Sequence, residues 1–374
     1  MIPVTYKYSL FAFLGTLFFL ASCRTDFDIS GDYQEIAVVH FLLDPNDNQH
    51  FLKINKTFSG EGDATVFAKV ADSSYFDEVE AIVEEVIGGN LVSGEILGGS
   101  VNRQWLLKDT IIDNKQPGAF YYPEQKLYYF NADDLNTNAL YRLKITVDGG
   151  KHNIAGATAL VSGINLTTPN PNTPLNFAEA NVPVNGYRNQ PIRFSKGTGA
   201  IYDVKLLFRY REFTAAGSEV KELRWNLGEV IASEVVSPNV SVIANGETFY
   251  DFLGNNIPEN PDVTRRQVEN VEIVVTGGSS DLLTYILVNQ PSSSIAQNKP
   301  EFTNLAGAMG IFSSRTTVTQ FKAAFNPIQP NQRALSVNST RELARGFYTF
   351  FLRDLKFCSN IPSDIGQGYN FACD

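Results

Sequence analysis

The residues able to do chemistry in this sequence are few and poorly grouped. There are three histidines, His40, His50 and His152, and no His-x-x-x-His, Cys-x-x-Cys or phosphate-loop pattern joins them to a nucleophile or ligand set. His40 sits in the most apolar stretch, where a hydrogen-bonded buried imidazole is expected rather than a base. His50 follows Asp44 and Asp47, and a small cation site is conceivable there. A calcium loop needs roughly six to eight oxygens and a glycine at its sharp bend. This segment has Pro45 and no glycine, so a polar turn is expected. Glu84 and Glu85 are adjacent, and in a strand they face opposite sides and make no acid/base pair. Asp133 and Asp134 fall in an expected turn. Gly197, Thr198 and Gly199 lack the spacing and the following helix of a phosphate cradle. No catalytic residue, metal or cofactor is assigned.

Aromatic residues are the better binding candidates. Phe120, Tyr121 and Tyr122 precede Pro123, and Tyr128, Tyr129 and Phe130 follow closely. In a strand alternate members face outward, so Tyr121, Tyr122, Tyr128 and Tyr129 are the candidate aromatic surface. Exposed tyrosine faces stack on sugar rings or seat a protein partner. The competing reading is plain sheet core, which the 27 Phe and 16 Tyr of the chain favour. With 43% hydrophobic and 19% charged residues the chain buries a core and is no disordered tail. A formal charge of -10 argues against nucleic acid, which needs clustered Lys and Arg.

The elements that position these residues begin behind a leader. Lys7 precedes an apolar run from Leu10 to Ala21, broken by Gly15 and Thr16. The run falls short of the roughly 20 apolar residues of a membrane span, so an export signal is expected over 1–22. It ends in Leu20, Ala21, Ser22 and Cys23, which resembles the lipobox of bacterial lipoproteins. The resemblance implies cleavage before Cys23, lipidation of its thiol, and membrane contact through that anchor. Residues 23–33 then form a lipidated linker, with Asp26 and Asp28 resembling the acidic tether of surface-directed lipoproteins. Cys358 and Cys373 remain, and an even remainder in an exported chain suggests a disulfide. Two free thiols or a metal pair are the alternatives, the latter without a nearby histidine.

The mature chain divides into two β-rich regions. Over 34–166, Glu35 to Leu43 is a continuous apolar run expected to be buried on both faces. A polar turn follows, and His50 to Phe58 returns as a hairpin. Val79 to Val86 and Gln104 to Ile112 are further strands. Tyr141 to Val147 alternates cleanly, turns at Asp148, Gly149 and Gly150, and returns over Ile154 to Val161. Short strands with turn signals between them predict a sandwich. The stretch TTPNPNTP predicts a linker and domain boundary over 167–180. The second region, 181–357, opens at Val182 to Phe194. It has a hairpin from Tyr202–Tyr210 to Leu223–Leu227 and a short helix over Gly246–Leu253, with Phe249, Phe252 and Leu253 inward. Strands are expected at Val271–Thr276, Leu282–Asn289 and Phe347–Phe357, and a helix capped by Ser339 or Thr340 ends at Gly346. A cysteine-bearing tail, 358–374, closes the chain. The expected class is mostly β: an immunoglobulin-like β-sandwich followed by a second β-rich domain with one or two short helices.

Taken together, these features make the chain resemble a family of Bacteroidota outer-membrane lipoproteins of unknown function. The likeness rests on the lipobox, the Tyr141-x-Leu-x-Ile pattern before a glycine turn, and the Tyr202–Tyr210 strand. It also rests on Pro300 to Asn304 with Gly310 to Arg315, and on the terminal cysteine pair. It implies an outer-membrane address, on the periplasmic or the surface-exposed face, and a TonB-dependent transporter as a neighbour. The expected function is a non-enzymatic binding or interaction module for a glycan, a peptide or such a transporter. The alternatives are a hydrolase with carboxylates assembled by the fold, or a purely structural envelope component.

Overall fold

The computed structural model describes residues 35–57, 64–290, 301–325, 333–346 and 354–373. The expected leader, Cys23 and the expected linker after it lie outside the described residues. The chain is mostly β, as its alternating segments predict. Among the described residues no helix is long and apolar enough to cross a membrane.

The first region opens with the expected hairpin, β1 (Ala37–Leu43) and β2 (Gln49–Lys56), turned by an Asp47 N–H that donates to Asp44 O at 3.0 Å. Two short helices, α1 (Ala64–Phe67) and α2 (Ala71–Ser74), lead to β3 (Val79–Val92) and β4 (Glu95–Leu106). Next come β5 (Lys108–Asp113), β6 (Glu124–Asn131), β7 (Leu140–Val147) and β8 (His152–Ala159). The expected single strand Gln104–Ile112 is in fact two. At Leu107 the backbone N–H still bonds Ala81 O of β3, at 2.9 Å, and the chain then crosses to pair with β6. Leu107 is itself buried, so the apolar pattern runs unbroken through the crossing.

The second region contains β9 (Leu166–Thr168), α3 (Val182–Asn185), β10 (Gln190–Ser195), β11 (Ile201–Thr214) and β12 (Gly217–Ile231). It continues through β13 (Asn239–Ala244), α4 (Gly246–Asn256), β14 (Val263–Gly278) and α5 (Ser280–Asn289). The last elements are β15 (Leu305–Ala306), β16 (Met309–Ala323), α6 (Val337–Arg345) and α7 (Pro362–Gly366). On β11 the period of two places Tyr202, Val204, Leu206, Phe208 and Tyr210 in the core, each contributing about 1.5–3 kcal/mol of burial.

Three readings of this region change. Leu282–Asn289 is a helix, because Ser279 Oγ caps the Leu282 N–H at 3.2 Å and Asp281 sits in the first turn. The later helix starts earlier than expected, with Ser336 rather than Ser339 or Thr340 at its N-cap; Gly346 ends it. Of the expected last strand, 347–353 lies outside the described residues, and Phe357 makes one parallel bridge to Arg266.

An eight-stranded sheet runs β12-β11-β14-β16-β1-β2-β6-β5, a five-stranded one β15-β8-β7-β3-β4, and a three-stranded one β13-β10-β9. The five-stranded sheet faces the β16–β5 half of the large sheet, giving the sandwich. Val39, Phe41 and Phe130 from one side meet Val83, Leu143 and Ile145 from the other. The second core gathers β10, β11, β13, β14 and α4. Among the described residues the two large cores stand apart, but the large sheet crosses the expected boundary, since β1 pairs in parallel with β16. Gly310 makes that join possible. Its φ is +101°, and a Cβ there would lie 2.0 Å from Val39 O. Nor is 167–180 a solvated linker: Leu175, Phe177 and Ala178 are fully buried. Lys322 Nζ donates to the carbonyls of Asn170, Pro171 and Thr173 at 3.0, 3.2 and 2.8 Å.

At the C-terminus Cys358 and Cys373 form a disulfide with Cα atoms 4.9 Å apart. Closing a loop of 15 residues contributes about 3 kcal/mol. Two buried ion pairs seat the same tail. Arg333 Nη1 donates to Asp364 Oδ1 at 2.8 Å, and Arg266 Nε to Glu212 Oε1 at 2.7 Å while its Nη1 bonds Leu355 O.

Candidate functional site

The crossing at Leu107 opens the sandwich at one side. The ladder between β3 and β4 starts at Ile82, so where β5 departs the first residues of β3 border a gap. The gap is a cleft of about 730 Å³ whose lining includes Glu78, Glu80, Lys108, Asp109, Lys126 and Tyr128. Lys126 Nζ spans it, donating to Phe76 O at 3.0 Å and Asp77 O at 3.4 Å, and lies 5.7 Å from the Tyr128 ring centre. Carboxylates outnumber ammonium groups along the wall, so the cleft favours a neutral or cationic ligand rich in hydroxyl or amino donors.

The four candidate tyrosines do not form one surface. Tyr128 is only 4% exposed and belongs to the core; its phenol pKa is raised by burial, with Lys126 opposing. Tyr129 lines the cleft and points to the other face of β6. There it sits opposite Phe51 of β2, with ring centres 6.0 Å apart, and opposite Lys108 of β5. Tyr121 and Tyr122 belong to the loop between β5 and β6. The Tyr121 hydroxyl donates to Glu124 Oε2 at 3.1 Å, and that carboxylate raises its pKa. Alternation was therefore right in kind, but its parity puts Tyr129 outward and Tyr128 inward. Phe51, Lys108, Asp109 and Lys126 were missed. Cross-strand register, which sequence does not carry, is what brings them together.

Carboxylates elsewhere are committed to structure. Glu84 accepts from Arg142 Nη1 at 2.9 Å and from Lys144 Nζ at 2.6 Å, on the face opposite Glu85. Burial pushes Glu85 up, but hydrogen bonds from Arg103, Asn102 and Tyr141 outweigh it and hold its pKa at about 2. A group so saturated with donors makes a poor base. Asp44 is raised by burial, yet it faces the backbone N–H groups of Asn46 and Thr317, at 3.0 and 3.2 Å, and not a cleft. His40 bonds the Tyr285 hydroxyl at 2.9 Å, and burial lowers its pKa. His50 is buried against Phe130 with Nε2 3.0 Å from Ala132 O. Among the described residues no group of three His, Cys, Asp or Glu is arranged to hold a metal ion.

No family model matches the sequence, and no curated protein matches it.

Proposed function

We propose that this chain is a lipid-anchored envelope protein, held at the outer membrane through Cys23, and a non-enzymatic module that binds carbohydrate in the lateral cleft. The observation that carries the ligand class is the cleft itself. Its volume falls in the range of about 300–1,000 Å³ typical of small-ligand sites. Its wall presents carboxylates that accept sugar hydroxyls and two lysines that donate, with Tyr129 also lining it. The excess of acids favours neutral sugars or amino sugars over uronic acids. The anchor reading rests on the apolar leader and the lipobox-like Leu20–Cys23. The resemblance to Bacteroidota lipoproteins adds a TonB-dependent transporter as the partner that would receive the captured ligand.

The test is a glycan array, followed by calorimetry, on residues 24–374. Asp109→Asn and Tyr129→Ala should each weaken the best hit about tenfold, near 1.4 kcal/mol, without lowering the melting temperature. Unchanged affinity in both variants, or an array with no neutral or amino-sugar hit, overturns the carbohydrate reading. Mass spectrometry of the mature N-terminus tests the anchor separately.

A further inference from the structure

We infer that the end of the sandwich from which the chain leads back to Cys23 is a lipid-contacting surface, seated on the membrane through Phe120, Tyr122, Val66 and Val70. The inference rests on the anchor reading and goes beyond it by fixing which face of the folded part meets the bilayer.

The topology assembles this end from separate stretches of chain. Glu35, the first described residue, is tied to the β7–β8 turn by Lys151 Nζ at 2.8 Å and His152 Nε2 at 3.0 Å. Ala37 pairs with Lys56, so the start of β1 and the end of β2 lie together. Asn55 Nδ2 donates to Ser74 O at 3.0 Å, which brings α2 to the same place. β6 runs antiparallel to β2, so the loop before β6 also falls there, and its Tyr121 N–H bonds Ala68 O at 2.7 Å. The tip of the β3–β4 hairpin points the opposite way, because β3 runs antiparallel to β7.

Apolar side chains are turned out here, and also on the β3–β4 hairpin at the opposite end, where Leu97 is 54% and Val92 49% exposed, so it is the tether that selects this end. Val66 is 61% exposed, Phe120 56%, and Val70 and Tyr122 46% each. Scattered apolar residues need no explanation, but these cluster where the tether begins. The segment 23–35 reaches at most about 40 Å at ~3.3–3.6 Å per residue, so a lipid on Cys23 keeps this end near the bilayer. Tyr and Phe suit the headgroup boundary, having an apolar body and, in Tyr, a polar tip. Lys115 Nζ donates to Tyr121 O at 2.5 Å and lies 5.9 Å from the Phe120 ring centre, which holds together the loop that presents Phe120 and Tyr122. Lys69 is exposed on the same end, but so are Asp72, Asp77 and Glu124, and net charge therefore does not select anionic lipid. Apolar insertion is the source of contact, and zwitterionic vesicles suffice as the probe.

The experiment uses the full lipoprotein reconstituted in phosphatidylcholine vesicles, with and without bromine on the acyl chains. Tryptophan is introduced singly as Phe120→Trp, and as Val236→Trp in the loop between β12 and β13, beyond the other edge of the large sheet. Emission of the parent, which has two tryptophans, is subtracted. Both sites are exposed, so neither change disturbs packing. Bromolipid should quench roughly half of the emission added at position 120 and leave position 236 unchanged. Flotation with the vesicles but equal quenching at both sites overturns the lipid-contact surface and leaves the anchor standing. Failure to float, with an unmodified N-terminus by mass, overturns both.

Discussion

Replacing Glu85 with glutamine preserves shape and removes one charge, which isolates the electrostatics of the junction between β3, β4, β7 and the loop 132–139. The carboxylate takes bonds from Asn102 Nδ2 (2.7 Å), Arg103 Nε (3.2 Å) and Nη2 (2.7 Å), Tyr141 OH (2.9 Å) and the Asn136 N–H (3.4 Å). In Glu85→Gln one oxygen becomes an NH₂ group facing other donors, and Arg103 keeps only Asp134, whose side chain is 67% exposed. Removing one partner of a buried pair costs about 3–5 kcal/mol. Arg103 is itself about a third exposed, so water recovers part of that, and the expected loss at neutral pH is about 3 kcal/mol. The pKa gives a second handle. Glu85 falls from 4.5 to about 2, which at ~1.36 kcal/mol per unit is about 3 kcal/mol, or about 2 after the same discount. Because the folded-state value is the lower one, this stabilisation is complete above pH 4.5 and is lost as the pH falls toward 2. The gap between parent and variant should therefore narrow by about 2 kcal/mol between about pH 5 and about pH 2.5. Urea unfolding followed by tryptophan emission reads it directly, since the Arg103 guanidinium lies 5.0 Å from the Trp105 ring centre. A gap under about 1 kcal/mol at neutral pH, or one that does not change with acid, would refute the reasoning.

Gly310→Ala should destabilise the chain by about 2–3 kcal/mol, because a Cβ collides with Val39 O at a positive φ; calorimetry checks it, and an unchanged melting temperature denies the close approach. Lys322, with its pKa pulled by burial to about 8, loses its proton earlier in the folded than in the unfolded chain. Stability of the parent relative to Lys322→Met should thus rise between pH 8 and about pH 10, and a flat difference in urea midpoints contradicts the assignment. Reducing Cys358–Cys373 should cost about 3 kcal/mol and free the tail to limited proteolysis before the sandwich opens.

Local patterns read well from sequence where one face of an element is buried and its period is clean. Tyr202 to Tyr210 and Tyr141 to Val147 are of this kind, and their inward residues are those the alternation names. Leu282–Asn289 failed because a short apolar run has no readable period. None of its residues is fully buried, so no stripe was selected, and only the Ser279 cap distinguishes it from a strand. The supposed linker failed for a different reason. Its three prolines do forbid a ladder, but a lysine from β16 satisfies the carbonyls and lets the segment sit in the core. The cleft was half legible: the tyrosines stood out by type, whereas Lys108, Asp109 and Lys126 are brought there by register and by a crossing at Leu107 that leaves no mark in composition.

The parallel join of β1 with β16 sets a condition on how the protein is made. Asn46, just past β1, bonds Thr317 at a separation of 271 residues, so the first described strand waits for nearly the last. Until then β1 and its hairpin partner expose an apolar edge to other chains, and long-range closure of this kind is intrinsically slow. A chain truncated before Met309 lacks the partner of β1 and leaves that apolar edge open to association with other chains.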